Sequence, residues 1–112
     1  MRGGLRAPEI LLRDDAGAPP ARPLASYETA GAAGADLRAD LEGAEITLAP
    51  MERRLIPTGV RMQIPPGFEV QIRARSGAAL SDGLAMVNGV GTIDSDYRGP
   101  VGVIAINLSD KP

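Results

Sequence analysis

The plainest pattern along this chain is a period of two. Val60, Met62 and Ile64 alternate with Arg61 and Gln63; after a break, Phe68, Val70, Ile72 and Ala74 alternate with Glu69, Gln71, Arg73 and Arg75. Successive side chains of a strand point to opposite faces, so each run predicts a strand with one buried and one polar face. The break is Pro65-Pro66-Gly67, where Pro66 presets φ and Gly67 supplies the positive φ of a type II turn. The two runs therefore predict a β-hairpin. Shorter strands are expected at Glu9 to Arg13, Glu45 to Leu48, Arg54 to Ile56 and Leu84 to Val87. Val101 to Leu108 is apolar on both faces, the pattern of a strand covered on both sides.

No window of useful length carries a helical period, while 14 glycines and 10 prolines punctuate the apolar runs. Many short strands between Gly/Pro turns predict an all-β fold, a sandwich or jelly roll. The Pro/Ala-rich stretch Ala16 to Pro23 is short enough to be a loop, and 112 residues suit a single domain.

Composition narrows the chemistry. At 44% apolar residues the chain can build a core, so disorder throughout is not expected. The absence of cysteine removes disulfides, thiolate nucleophiles and cysteine-bound metals. The absence of histidine removes the imidazole as base, zinc ligand or triad member. An enzyme built from this inventory would use a carboxylate as its base, and a hard, oxygen-liganded ion such as magnesium. A net charge of −2 argues against broad electrostatic binding to nucleic acid. Nearly all the cations are arginines, which suit phosphate oxygens, although a GC-rich genome yields the same bias. Met1 to Ala7 has no apolar region of the secretory type, and no apolar run reaches membrane-spanning length. The expected location is the cytoplasm, with no membrane partner.

Three stretches could carry chemistry. Ala33-Gly34-Ala35-Asp36-Leu37-Arg38 places a single acid among small residues; by itself it is better explained as a glycine-rich turn leading into a strand. Arg75-Ser76-Gly77-Ala78-Ala79 ends the clearest strand. Its guanidinium, hydroxyl and exposed amides would make a phosphate cradle, or simply a strand end. It lacks the glycine spacing and lysine of a Walker loop. Asn88-Gly89-Val90-Gly91-Thr92-Ile93-Asp94-Ser95-Asp96-Tyr97-Arg98-Gly99 combines an amide side chain, opened backbone, two acids and a tyrosine. A polar hairpin is the plain alternative. If the segment stays extended, Asp94 and Asp96 share a face and could bind one cation.

In this order and spacing, AGADLR, RSGAA and NGVGTIDSDYRG resemble the first three motifs of the dUTPase family, over a stretch running from about Pro23 to Leu108. IDSDYRG is the most specific part. Ala78 stands where the family often has leucine, and Pro100 where an acid is common. The resemblance implies a jelly-roll fold, a homotrimer with active sites at subunit interfaces, and conversion of dUTP and water to dUMP and pyrophosphate with Mg2+ on the triphosphate. It further implies Asp94 as general base, and Asn88 with the backbone of Gly91, Thr92 and Ile93 at the uracil edge. Tyr97 would lie against the deoxyribose, and Arg75, Ser76 and Gly77 on phosphate oxygens of a neighbouring subunit's substrate. Asp36 would act on the magnesium indirectly, through water. The family continues with a GDRIAQ-like motif and a glycine-rich arm that this chain does not contain, so a truncated form is expected. A dCTP deaminase of related fold, or a dUTPase-like module that binds without catalysis, are the alternatives.

Overall fold

The computed structural model describes residues 8–14 and 24–112. The N-terminal segment 1–7 and the expected loop at 16–23 lie outside the described residues. Eight strands and one short helix follow in the order β1 (Leu11–Asp14), β2 (Ala25–Ser26), β3 (Asp36–Leu37), β4 (Arg53–Gln63), β5 (Val70–Ile72), α1 (Ser76–Asp82), β6 (Leu84–Met86), β7 (Gly91–Ile93) and β8 (Val101–Asn107). They form a four-stranded sheet in the order β1-β4-β8-β6 and two two-stranded sheets, β2-β3 and β5-β7. Every pairing is antiparallel.

The hairpin expected across Pro65-Pro66-Gly67 does not form, although its turn does. Phe68 N–H donates to the Pro65 carbonyl at 3.2 Å, and Gly67 has φ +89°, as a type II turn requires. Yet β4 is flanked by β1 and β8, and β5 pairs with β7. Val60, Met62 and Ile64 of the first run, with Leu24 and Val101, make the buried cluster; Val70, Ile72 and Ile93 pack against it from the β5–β7 layer. The two runs thus face each other across the core. A period of two establishes that a strand has a buried face, but both partner geometries satisfy it.

The expected strand at Arg54 to Ile56 is the first part of β4, which runs on to Gln63. Between Pro57 and Val60 the register with β8 shifts. Proline has no N–H for the ladder, and a bulge accommodates it. Buried Thr58 replaces the missing bond: its Oγ1 donates to the Val101 carbonyl at 2.6 Å and accepts from Val60 N–H at 3.3 Å. β8 is buried or half-buried along its whole length, as its apolar pattern predicts. β1 and β6 match the expected strands to within two residues at each end.

Two further expectations fail. Residues 45–48 form no strand, because Glu45, Ile46 and Thr47 are exposed and the Leu48 carbonyl accepts from Asn107 Nδ2 at 2.9 Å, in place of a ladder bond. A helix does occur, the seven-residue α1, which buries none of its residues. With no buried stripe it needs no amphipathic period, so periodicity could not reveal it. It ends at Gly83, whose φ of +67° lets its N–H return to the Ala79 carbonyl at 3.2 Å, an αL cap.

Candidate functional site

The first two motifs meet in space. Asp36 opens β3, and its half-buried carboxylate lies 3.5 Å from Nη1 of Arg75. Arg75 is the N-cap residue of α1, in extended conformation, so Ser76 and Gly77 occupy the first turn of the helix and not the end of a strand. No side chain caps that turn, and first-turn amides have no intrahelical partner. Exposed guanidinium, hydroxyl and amides consequently stand side by side, the composition expected of the phosphate cradle.

The third motif begins at the β6–β7 connection. Asn88 and Gly89 turn the chain, with Gly89 N–H donating to the Met86 carbonyl at 3.3 Å and Val90 N–H to the Asn88 carbonyl at 2.8 Å. Gly91 is buried close to Asn88: a methyl group in place of its hydrogen would lie 3.5 Å from Asn88 Nδ2 and 3.1 Å from Met86 Cε. Strand β7 then pairs Gly91 with Ile72, Thr92 with Gln71 and Ile93 with Val70. Ile93 packs toward the core and Thr92 is exposed. Among the described residues the opposite edge of β7 has no strand partner. Its N–H and C=O groups are available to the polar edge of a planar ligand beside Asn88.

The extended conformation stops at Ile93. Asp94 to Asp96 lie in a turn closed by Tyr97 N–H donating to the Asp94 carbonyl at 3.1 Å. Asp94 and Asp96 therefore do not lie on one extended face from which both would bind a single cation. Among the described residues no three acids converge on a metal position. Asp94 and Asp96 do open with Gly67, Phe68, Glu69 and Ser95 onto one shallow hollow. Tyr97 is partly exposed; its hydroxyl donates to the Pro100 carbonyl at 2.7 Å, and the ring covers Gly99.

The candidate residues therefore fall into two groups. Asp94 lies one residue beyond the Val70–Ile93 pair, and Arg75 three residues beyond the Ile72–Gly91 pair at the other end of the ladder. That separation is roughly 20 Å at about 3.3 Å per residue. No hydrogen bond or ion pair joins Asp94 or Tyr97 to Asp36, Arg75 or Ser76 among the described residues. Sequence reasoning also missed Arg61 as a participant. It reads as a polar position of an alternating strand, yet its Nη1 donates to the Arg98 carbonyl at 3.1 Å.

Residues 21–112 match the family model for dUTPase. The chain belongs to the dUTPase family. It is 62% identical over 94 residues to the deoxyuridine 5'-triphosphate nucleotidohydrolase of Roseobacter denitrificans, covering 84% of this chain and 62% of that protein. The Anaeromyxobacter sp. protein of the same name is 60% identical over 89 residues, covering 80% of this chain and 58% of its own length. The chain thus spans about three-fifths of the curated relatives it matches. The dUTPase of Streptococcus mutans superposes with a TM-score of 0.66 at 35% identity, over 78% of this chain and 70% of that one. A mutant dUTPase from phage phi11 of S. aureus, described with a structural Mg(II) ion, gives 0.74 at 24% identity, over 90% of this chain and 61% of that one, a likeness of fold. The fold of this chain is the jelly-roll type of dUTPases, mostly β with one short helix.

Proposed function

We propose that this chain hydrolyses dUTP to dUMP and pyrophosphate, as part of a homotrimer. The observation that carries the reading is the third-motif segment. Asn88 and the open edge of β7 lead directly into a closed turn that presents Asp94 to a shallow, open hollow. In this reading the backbone of Gly91, Thr92 and Ile93 and the Asn88 amide match the donors and acceptors of uracil. Fixed polar groups reject a mismatched partner more strongly than apolar fit does, because the mismatch leaves them unpaired. Tyr97 would stack on the deoxyribose.

Asp94 would hold a water by its carboxylate and accept its proton as the water oxygen attacks the α-phosphorus. The bond from that phosphorus to the α–β bridging oxygen breaks, pyrophosphate leaves, and the proton passes from Asp94 to solvent. A carboxylate is the only common base in this composition ionised at neutral pH, and an aspartate is a weak one, so positioning must supply much of the rate. The phosphates call for Arg75, Ser76 and Gly77. The ladder separates these from Asp94 of the same chain, which favours their coming from another copy. The outer face of the four-stranded sheet offers Leu55, Val87 and Ile104 for such an assembly, with Leu55 and Val87 exposed.

Magnesium fits this donor set only as an ion carried by the triphosphate. Beside Arg75, which would bind phosphate, stands the half-buried carboxylate of Asp36, and among the described residues no three acids form a cage. Asp36 would meet the hydrated ion through water, and the ion when bound neutralises charge on the triphosphate. The same reading takes the chain as one dUTPase-like domain located in the cytoplasm. No described helix is long and apolar enough to cross a membrane.

The deciding experiment is pyrophosphate release from dUTP, dTTP, dCTP and UTP with magnesium. Release from dUTP alone is the expected result. Ammonia release from dCTP would establish a deaminase instead, and nucleotide binding without turnover would establish a non-catalytic module.

A further inference from the structure

Arg98 belongs to the most specific motif of the chain, yet uracil, sugar and phosphate recognition leave it without a task. Its Nη1 donates to the carbonyls of Ser95 at 2.6 Å and Tyr97 at 3.2 Å. Its own carbonyl accepts from Nη1 of Arg61 on β4 at 3.1 Å. Tyr97 closes the same turn twice, through its N–H to the Asp94 carbonyl and its hydroxyl to the Pro100 carbonyl. The turn from Asp94 to Pro100 is therefore stitched internally by Arg98 and Tyr97, and moored to the four-stranded sheet by Arg61. Hydrogen bonds from a guanidinium are about twice as strong as neutral ones, and its planar donors fix direction as well as distance.

We propose that Arg98 is a positioning residue: its guanidinium, on a turn moored through Arg61, sets the attitude in which Asp94 and Tyr97 meet the nucleotide. For its chemistry this rests on the dUTP-hydrolysis reading. Side chains held by a short turn move with its carbonyls, and a misplacement of about 1 Å can lower a rate by roughly two orders of magnitude. Arg98 touches no reacting atom in this arrangement, so its loss should act on kcat and on sugar selectivity more than on phosphate binding.

The test compares the parent with Arg98→Gln, Arg98→Lys, Arg61→Gln and Asp94→Asn, with Arg54→Gln as a control that removes an exposed arginine of β4 paired with Glu52. Amide hydrogen exchange at Tyr97 reads the turn without recourse to turnover; kcat and KM for dUTP and UTP read its consequence. Arg98→Gln should speed Tyr97 exchange roughly tenfold or more, since bonds to a charged donor are lost. It should lower kcat for dUTP by roughly 10–100-fold with a smaller change in KM and a reduced preference over UTP. Arg98→Lys should recover part of both, Arg61→Gln should lie between, and Arg54→Gln should match the parent. Unchanged Tyr97 exchange in Arg98→Gln overturns the proposal. So does faster exchange accompanied by parental kcat and selectivity, which would leave the arginine a purely structural role. Parental kcat in Asp94→Asn, or a parent that turns over no nucleotide, sinks the hydrolysis reading instead; the Tyr97 exchange then still decides whether Arg98 holds the turn.

Discussion

Arg75 and Asp36, far apart in sequence, form an ion pair of 3.5 Å between the start of α1 and the start of β3. Arg75 is mostly exposed in this pair, so its value for stability is small, about 0–1 kcal/mol. In the proposed reading its value for an incoming triphosphate is larger, since hydrogen bonds to a charged group contribute roughly 1.5–3 kcal/mol. Arg75→Gln should therefore weaken binding of a non-hydrolysable dUTP analogue by about 10–100-fold. The melting temperature should fall by no more than roughly 8 °C, since an exposed pair contributes at most about 1 kcal/mol. Calorimetric titration beside a thermal melt checks both halves. A large fall in melting temperature would mean that the pair is chiefly structural.

Asp94 should separate chemistry from binding. Its turn is closed by backbone atoms, the Tyr97 N–H and the Asp94 carbonyl, so replacing the carboxylate leaves the scaffold in place. Asp94→Asn is expected to keep nucleotide affinity while turnover falls by roughly 10²–10⁴-fold, the usual contribution of a general base. Pyrophosphate release and analogue binding measured on the same preparation decide it. Near-parental kcat would remove Asp94 from its role. Tyr97→Ala, by contrast, should chiefly erode the preference for dUTP over UTP.

What could be read from the chain beforehand divides along physical lines. Alternation marked a buried face correctly at Val60 to Ile64, because the side-chain period of a strand is local. Of the run Phe68 to Ala74, however, only Val70 and Ile72 turn inward, Phe68 and Ala74 lying exposed outside β5. Which strand lies beside which is set by contacts distant in sequence, so the same alternation suggested a hairpin where Pro65 to Phe68 turns the chain from one layer to the other. Helix α1 was invisible because it buries nothing. The candidate residues themselves were legible as motifs. The meeting of Asp36 with Arg75, the wide separation of Arg75 from Asp94, and the mooring by Arg61 were not, since each depends on how β4, β5 and β7 pack.

Asn107, buried at the end of β8, should be the costliest polar side chain to remove. Its Nδ2 donates to the carbonyls of Leu48 at 2.9 Å and Lys111 at 2.6 Å, while Oδ1 accepts from Ser109 N–H at 2.9 Å and Ser109 Oγ at 2.7 Å. One amide thus ties the strand-free segment 45–48 and the residues after β8 to the sheet. Truncation leaves several of these partners unpaired near the core, at about 1–3 kcal/mol each for those that water cannot reach. Asn107→Ala is expected to lower the melting temperature by roughly 4–8 °C per kcal/mol for a domain of this size. Asn107→Asp, which keeps the acceptor and loses the donors, should fall between. A melt of Asn107→Ala within a degree of the parent would show that solvent satisfies the freed groups.

Glu52 should contribute to an acid limb of stability. Its carboxylate accepts from Ala49 N–H at 2.9 Å and from Arg54 Nη2 at 2.6 Å. The backbone bond first and the arginine second hold its pKa below the ordinary glutamate value. A depressed folded-state pKa means that the stabilisation is complete above the unfolded glutamate value and fades as pH falls through the folded one. Glu52→Gln should therefore narrow its deficit relative to the parent as the solution is acidified below about pH 4, and show it fully near neutrality. Paired urea melts across that range would reveal the convergence. Parallel curves at every pH would mean that the carboxylate is equally hydrogen-bonded in the unfolded chain.

Two of the glycines at positive φ, Gly67 and Gly83, should differ in their tolerance of a methyl group. Gly67 has φ +89° in the turn after β4, and nothing lies within 4 Å of an added Cβ. Gly83 has φ +67° at the end of α1, where the same atom would meet the Ser109 backbone nitrogen at 2.8 Å and the Leu108 carbonyl carbon at 3.1 Å. Both substitutions carry the left-handed penalty, about 1–2 kcal/mol. At Gly83 the methyl also drives against backbone that cannot turn aside, because Leu108 N–H donates to the Gly83 carbonyl at 2.8 Å. Gly83→Ala should accordingly destabilise by about 1–3 kcal/mol more than Gly67→Ala, the cost of overpacking added to the shared strain. Urea denaturation of the two variants measures the difference directly. Equal losses would mean that the end of β8 yields, and that the contact between Gly83 and Leu108 is looser than its geometry implies.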